Sequence, residues 1–525
     1  MPFFTRLQAK KNLARLETAL TATPGGTSAA SAPQWRKLQS QVVGKIILPG
    51  DSGYDEARRG NTLYPDLAQP LAIVYCEIEY DIVFAMLFCR ETSIPFAIRS
   101  GGHSTAAYSV SGGIIIDISP LNGVFLNLGM QTATVQAGAS LGMVNQAIAP
   151  YGFHVPGGEC DTVGVAGHMM GGGYGFTSRI FGLNLDAVQQ VRVMLADCSV
   201  VVASRDVNSD LFWAIRGGTG GNFGVLLDIT YNLVQLGDLW GACYQWSQAD
   251  APAVLVQLQA NYMRTGAPST LGYQCAVSPV TGQTSLMMMS MFNGTRADGL
   301  ALLQPVLTIG QPKTLYDNVA PYITLNAEII DSWFPATPPA KLREVKASHY
   351  VDQPLSIEDW TTIIQYLATA PNPYNMFAME IYGGAVSAVP VNDCAFIHRQ
   401  CDFDMFIDSF CDDSWNYNDE ATAKMWLEGF NVLMKNYGNG QRYQNYPDPL
   451  DLDYRTAYWG GSFSTLLAVK QKYDPTNFFQ YQQSVSPSAA VLVPAAAGGP
   501  GVALPSTNSE IVYELHAQSG TLARR

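Results

Sequence analysis

Two side chains suited to attacking an electron-poor carbon, an imidazole and a thiol, each sit inside a glycine-rich stretch of this sequence. His103 follows Arg99, Ser100, Gly101 and Gly102 in RSGGHSTAAYS, and it is one of only six histidines in the 525 residues. Cys160 lies in PGGECDTVGVAGHMMGGGYG, and a third dense cluster, RGGTGGNFG, begins at Arg216. Imidazole nitrogen and thiolate are common protein nucleophiles. Glycine permits positive φ and close backbone approach, and successive N–H groups in such turns form concave anion sites. Singly, each feature has a plainer account: ordinary turns, a loop histidine making a hydrogen bond, a cysteine used as a small hydrophobe. Three clusters within the first 225 residues favour a phosphate-bearing cofactor.

Spacing narrows the choice of cofactor. Neither GGGYGF nor GGTGGNFG satisfies the G-x-G-x-x-G of a Rossmann nicotinamide site, and no GxxxxGK[ST] run is present. A flavin held by another fold remains, and its ring system offers electron-poor carbons at the 8α methyl and at C6. Flavin oxidation of a carbon also needs a base for the departing proton. Glu380 and Tyr382 in MEIYGGA lie two apart, so on a strand they share one side. Tyr458 precedes a glycine pair in TAYWGGSF, although with 26 tyrosines in the chain any one is as readily a core residue.

The elements that must position these residues read as α+β. Short β-branched runs such as GGIIIDIS, QTATVQAG, QQVRVMLAD and FGVLLDITYNLV alternate with helical stretches up to Leu236. From Gly237 to Gln441, YQCAVSPV, TSLMMMSMF and MFAMEIYGGAV alternate with helices such as APAVLVQLQANYM, the pattern of a domain with an antiparallel sheet. The expected division is an N-terminal helix and linker over 1–33, a cofactor domain over 34–236, a substrate domain over 237–441, a returning segment over 442–487 and a tail over 488–525. The helix rests on Leu13, Leu16 and Leu20, the linker is Thr21–Pro33, and Ser486–Ser509 is a small-residue extension.

Composition removes other classes. The chain is 47% hydrophobic and 14% charged with a net charge of −13, which suits large buried cores and argues against nucleic-acid and anionic-membrane binding. Without a signal-like apolar run or a stretch of roughly 20 apolar residues, a cytoplasmic protein is expected. The nine cysteines contain no CxxC pair, so no metal site is expected. Cys394, Cys401 and Cys411 are near enough in sequence to pair.

Four stretches resemble the berberine-bridge-enzyme-like flavoproteins of the vanillyl-alcohol-oxidase fold group, with their PCMH-type FAD-binding domain. They are PFAIRSGGHSTAAYSVSGGIIIDISPLNGV, PGGECDTVGVAGHMMGGGYGFTSRIFGLNLDAV, DLFWAIRGGTGGNFGVL and KYDPTNFFQYQQSV. They appear in the family's order, and the similarity runs from Trp35 to Pro487. The resemblance implies a two-part FAD-binding domain with an α+β substrate domain, the segment from Asn445 returning to cover the flavin, with Asn445 and Tyr446 among the cofactor-binding residues.

It further implies FAD joined covalently through His103 at the 8α carbon and Cys160 at C6. The backbone of Arg99, Ser100, Gly101, Gly102, His103 and Ser104 would cradle the pyrophosphate, and Gly157, Val163, Gly164, Gly167, Gly172, Gly173 and Val225 would line the remaining cleft. His168 is placed either on the cofactor or in a structural hydrogen bond. Tyr458 matches the family's tyrosine base, its pKa lowered toward working pH, with Tyr382 assisting and Glu380 as an alternative base. Val163, three residues after the cysteine, resembles the oxidases, so dioxygen is the expected acceptor and hydrogen peroxide the product. The implied donor is a hydroxyl-bearing carbon of a sugar, oligosaccharide or secondary metabolite, acted on by a monomer or homodimer. An oxidative cyclase or dehydrogenase of natural-product biosynthesis is the alternative, and a ligand-binding flavin scaffold without turnover the remote one. The family's GGHSYxG reads GGHSTAA here, with Thr105 for an aromatic residue and Ala107 for a glycine.

Overall fold

The computed structural model describes residues 30–60, 68–263, 266–279, 283–333, 343–411 and 417–487. The expected helix around Leu13–Leu20 and the tail over 488–525 lie outside the described residues. The linker ends earlier than expected, because Ala32 and Pro33 already belong to helix α1 (Ala32–Gln41). Gln34 Oε1 accepts from Ser31 N at 2.9 Å, and Pro33 falls in the first turn, where an N–H has no partner to lose. The helix buries Trp35 and Leu38, and the Trp35 ring lies 4.6 Å from Phe88.

Four strands form the first sheet: β1 (Ile46–Ile47), β2 (Ala72–Tyr75), β3 (Phe96–Arg99) and β4 (Ile114–Asp117), in the order β1-β2-β4-β3. β4 runs parallel to both β2 and β3. Its Ile114, Ile115 and Ile116 are wholly buried, as a strand covered on both faces requires. Helix α2 (Glu79–Thr92) packs on this sheet. The second sheet is antiparallel: β5 (Val124–Asn127), β6 (Thr132–Gln136), β8 (Val188–Met194), β9 (Val200–Ser204) and β10 (Val225–Asn232), ordered β5-β6-β10-β8-β9. A two-strand pair, β7 (Phe153–His154) with β11 (Val234–Gln235), delivers the chain to the Cys160 loop, which leads into the short helix α3 (Val165–Met170).

The middle of the chain forms the expected antiparallel sheet, with seven strands: β12 (Leu239–Ser247), β13 (Leu271–Ser278), β14 (Ser285–Phe292), β15 (Lys313–Ala320), β16 (Arg343–Val351), β17 (Met376–Ile381) and β18 (Phe403–Cys411). Their order is β15-β12-β14-β13-β17-β18-β16. Helices α4 (Ala251–Leu258), α5 (Tyr322–Trp333), α6 (Ile357–Leu367) and α7 (Tyr417–Met434) cover it. Registers Glu380↔Asp404, Ala378↔Phe406, Ser348↔Phe406 and Lys346↔Asp408 place Glu344, Lys346, Glu380, Asp404 and Asp408 on one face by strand alternation.

The chain then returns through α8 (Tyr454–Trp459) and α9 (Phe463–Tyr473), whose Tyr458, Trp459 and Leu466 join the core of the first two sheets. Lys470 fastens this return. Its buried ammonium donates to Asn222 O and Phe479 O at 2.6 Å and to Asp474 Oδ2 at 2.8 Å.

The sequence proximity of Cys394, Cys401 and Cys411 does not produce a disulfide: none of the nine cysteines is in one. Strand β18 separates Cys401 from Cys411, a span of roughly 27 Å at strand rise, whereas a disulfide needs Cα atoms within about 7 Å. Cys394 Sγ instead accepts from Arg399 Nη2 at 3.3 Å. Among the described residues, no helix is long and apolar enough to cross a membrane.

Candidate active site

The loop after β3 is anchored by its own side chains. Arg99 Nε reaches Asp117 Oδ2 at 2.5 Å and Nη1 reaches Arg59 O at 3.1 Å; Arg99 and Asp117 are opposite each other across β3 and β4 and both buried. Arg99 is therefore an anchor for the loop, and its side chain is not part of the cavity wall. Ser100 Oγ donates to Ala137 O at 2.7 Å, and Gly102 takes φ of +71°.

The glycines divide into two kinds. A Cβ on Gly101 would lie 2.2 Å from Gly164 N, and one on Gly164 would lie 2.3 Å from Gly101 N. These two let the His103 loop and the Cys160 loop touch each other, a role the sequence reading did not separate from cofactor approach. Gly167 has nothing within 4 Å of its Cβ direction and borders open space.

That space is a cavity of about 430 Å³ between the two glycine loops, the returning C-terminal segment and strand β16. Of the predicted residues, Ser100, Gly101, Gly102, His103, Ser104, Cys160, Val163, Gly164, Gly167, His168, Asn445, Tyr446 and Tyr458 all border it. Seven others stand behind the wall. Besides Arg99, Val225 is replaced at the surface by Gly224 and Leu226, since alternate residues of β10 face opposite ways. Gly172 packs under Phe396 and Tyr443, Gly173 under Asn184 and His168, and Gly157 beside Leu141. Tyr382 shares a 2.9 Å hydroxyl contact with Tyr350 and stacks on Tyr174, so it braces the wall without reaching the cavity. Glu380 lies beneath Tyr446, whose hydroxyl donates to Glu380 Oε1.

The electrostatics reorder the candidate bases. Tyr458 donates to Gln483 Oε1 at 2.9 Å, and burial, then Asp451 and Asp448, push its pKa well above the ordinary value. Within the chain itself nothing lowers Tyr458, because burial first and then the two aspartates outweigh Arg442. Tyr446 is also a protonated phenol at rest, raised by burial and then by Glu380. It differs in its surroundings: Lys346 Nζ sits 4.4 Å from its ring centroid, and its proton is already directed at a carboxyl. Burial first, then Asp404, raise Glu380 well above the carboxylate range, while Lys346 opposes the shift; Glu380 Oε2 is buried without a hydrogen-bond partner among the described residues.

Lys346, Glu344 and Glu159 are wall residues that the sequence reading missed. Lys346 pairs with Glu344 Oε1 at 3.0 Å and Asp408 Oδ1 at 2.9 Å. Nothing in LREVKASHY marks these charges as functional; only strand alternation and register turn them toward the cavity. Glu159 was visible as the residue before Cys160. Burial lifts its carboxyl to about 7, although it is held by Gln274 Nε2. His168 Nε2 accepts from Gly158 N at 3.0 Å, and burial lowers its pKa to about 4, which keeps the ring neutral. Cys160 is raised to about 11, by burial and then by Glu159.

The departure GGHSTAA has a local consequence. Ala107 holds φ of +61°, a left-handed conformation that costs a side-chain-bearing residue roughly 1 kcal/mol. Ala107→Gly is expected to raise stability by about 0.5–1 kcal/mol, read as a shift of the urea midpoint at unchanged slope.

The cavity fits FAD. Thr105 Oγ1 and the Tyr108 hydroxyl are buried at its edge with no hydrogen-bond partner among the described residues, so polar ligand atoms have waiting partners. Tyr108 and Tyr481 rings, 4.8 Å apart, add a flat apolar surface, and the open side of Gly167 admits close approach.

Comparison with known proteins agrees. An FAD-binding-domain family matches residues 70–204, and the family described as berberine and berberine like matches residues 442–486. An FAD-linked oxidoreductase of Bacillus subtilis, YvdP, is 32% identical over 468 residues, covering 86% of this chain and 99% of that protein. The solved structure of Physcomitrella patens BBE-like 1 superposes with a TM-score of 0.79 at 27% identity, covering 86% of this chain and 99% of that one. A chitooligosaccharide oxidase shares the fold, with a TM-score of 0.75 at 24% identity over 85% of this chain and 98% of its own. On this evidence the chain is an oxidoreductase enzyme of the berberine-bridge-enzyme-like, FAD-linked family.

Proposed function

We propose that the protein is an oxidase with FAD joined to His103 and Cys160, which takes a hydride from a hydroxyl-bearing carbon of a sugar, oligosaccharide or related polyhydroxylated metabolite. Dioxygen is the acceptor and hydrogen peroxide the product. When bound, FAD supplies the two-electron acceptor. The observation that carries the proposal is the Tyr446–Glu380 hydrogen bond in the wall of the cavity that His103 and Cys160 also border.

In this reading Tyr446 is the base at the substrate. Its phenol oxygen takes the hydroxyl proton while its own proton passes to Glu380. The Lys346 ammonium over the ring steadies the negative charge that develops on the phenol oxygen during transfer. Tyr458 is a wall residue held to Gln483, and Tyr382 braces Tyr174 and Tyr350. Glu344, Lys346 and Glu159 supply charged hydrogen-bonding groups at the wall, which supports a hydroxyl-rich substrate over an apolar one. Val163 borders the cavity three residues beyond Cys160 with a compact side chain, which supports access by dioxygen.

Denaturation tests the attachment. The wild-type chain, unfolded and passed through a desalting column, is expected to stay yellow. His103→Ala and Cys160→Ala should each retain one bond, and the double variant should release all its flavin. A colourless unfolded wild type would end the covalent reading. Peroxide release over a panel of sugars and phenolic alcohols identifies the donor.

A further inference from the structure

Resting on the covalent reading above, we propose that Thr162 is the positioning residue that decides which nitrogen of His103 bonds the flavin. Its hydroxyl occupies Nε2 and leaves Nδ1 as the nucleophile. The Thr162 Oγ1–His103 Nε2 distance is 2.9 Å, and the Thr162 backbone lies against the same ring. In a neutral imidazole one nitrogen carries the proton and the other the lone pair, and the partner of one sets the role of the other. A nitrogen in contact with a threonine hydroxyl is also screened from a carbon electrophile, whichever way that hydrogen bond points.

The turn that carries Thr162 is fixed on both sides. Val163 N donates to Cys160 O at 3.1 Å, which closes a turn from Cys160 to Val163. Gly101 lies so close that a Cβ there would stand 3.0 Å from Thr162 O. One rigid turn thus holds the Cys160 thiol and the threonine that orients His103. Burial lowers the His103 pKa below its ordinary value, which keeps the ring neutral and its lone pair free.

A bond forms between Nδ1 and the 8α carbon, and one C–H bond at that carbon breaks. Its electron pair enters the ring system, which is reduced by two electrons. Dioxygen then takes both electrons and becomes hydrogen peroxide with two protons, one from the 8α carbon and one from Nε2. Thr162 suits both ends of this step, since a hydroxyl accepts from Nε2–H before attachment and donates to the Nε2 lone pair after it.

The test compares full-length wild type, Thr162→Ser and Thr162→Val, each reconstituted from apoprotein with FAD in air. Attachment is followed as flavin retained after acid precipitation, and linkage by NMR of the His103 peptide, which separates Nδ1 from Nε2 substitution. Wild type and Thr162→Ser should carry the flavin on Nδ1 alone. Thr162→Val should attach at least tenfold more slowly at His103, or carry at least a tenth of its histidyl flavin on Nε2, while the Cys160 bond still forms and reports a folded site. Thr162→Ala serves equally if the valine does not pack. A valine variant linked through Nδ1 alone at the wild-type rate overturns the inference, as does a wild type linked through Nε2. A wild type with no flavin on His103 instead overturns the covalent reading, and the inference with it.

Discussion

Tyr446→Phe is expected to lower kcat by roughly 10²–10⁴-fold, the usual contribution of a positioned general base, while leaving the flavin attached. The phenylalanine keeps the ring under Lys346 and removes only the oxygen that links substrate to Glu380. Glu380→Gln should fall in the same range, because an amide cannot accept the relayed proton. Tyr458→Phe loses a hydrogen bond to Gln483 and no proton path, so its kcat should stay within about tenfold of wild type. Stopped-flow reduction of the flavin under nitrogen measures the step directly. Equal loss in the Tyr446 and Tyr458 variants would remove the assignment. The pH dependence follows from the same pair. Glu380 must be ionised to accept the proton, and burial with Asp404 raises its pKa above the ordinary carboxylate value. Activity should therefore be present at high pH and lost as pH falls, with a midpoint well above 4.5. Lys346→Met removes the group that opposes this shift and should move the midpoint further up.

Arg99→Ala is the second large effect, and it acts on the scaffold. Its guanidinium is the buried partner of Asp117 and also holds Arg59 O, so its loss leaves a carboxylate uncompensated inside the first sheet. Breaking a buried pair in this way costs about 3–5 kcal/mol. The destabilisation should appear in urea melts, with a parallel fall in the fraction of chains that carry covalent flavin, since β3 leads directly into the His103 loop. Arg99→Lys should recover only part of this, because an ammonium cannot hold Asp117 and Arg59 O with one planar fork. Full flavin content and wild-type stability in Arg99→Ala would show that the loop is fixed by other contacts.

Both predictions depend on residues the sequence displays unequally. His103, Cys160, Gly164 and Gly167 are legible because glycine clusters are local signals, and cofactor loops need that local backbone freedom. The antiparallel sheet of the middle domain was legible for a similar reason: short, near-continuous apolar runs such as TSLMMMSMF state within one segment that the strand is buried on both faces. Tyr446 was expected among the cofactor-binding residues, and Tyr458 was favoured as the base. The two tyrosines look alike in sequence and differ in neighbours from other strands: Glu380 and Lys346 for one, Gln483 and two aspartates for the other.

The sequence by itself determined the family, the cofactor class and the α+β plan, all of which depend on short motifs and local periodicity. The tertiary structure alone decided which glycines serve loop packing and which border the cavity, that Arg99 anchors β3 instead of facing a ligand, and that Lys346 and Glu344 stand at the site. It also gave Tyr446 and Tyr458 their different neighbours, because burial and charge at a phenol are set by residues from other elements. His103 shows the division most plainly: its motif announces a nucleophile, and only the fold brings Thr162 to one of its two nitrogens.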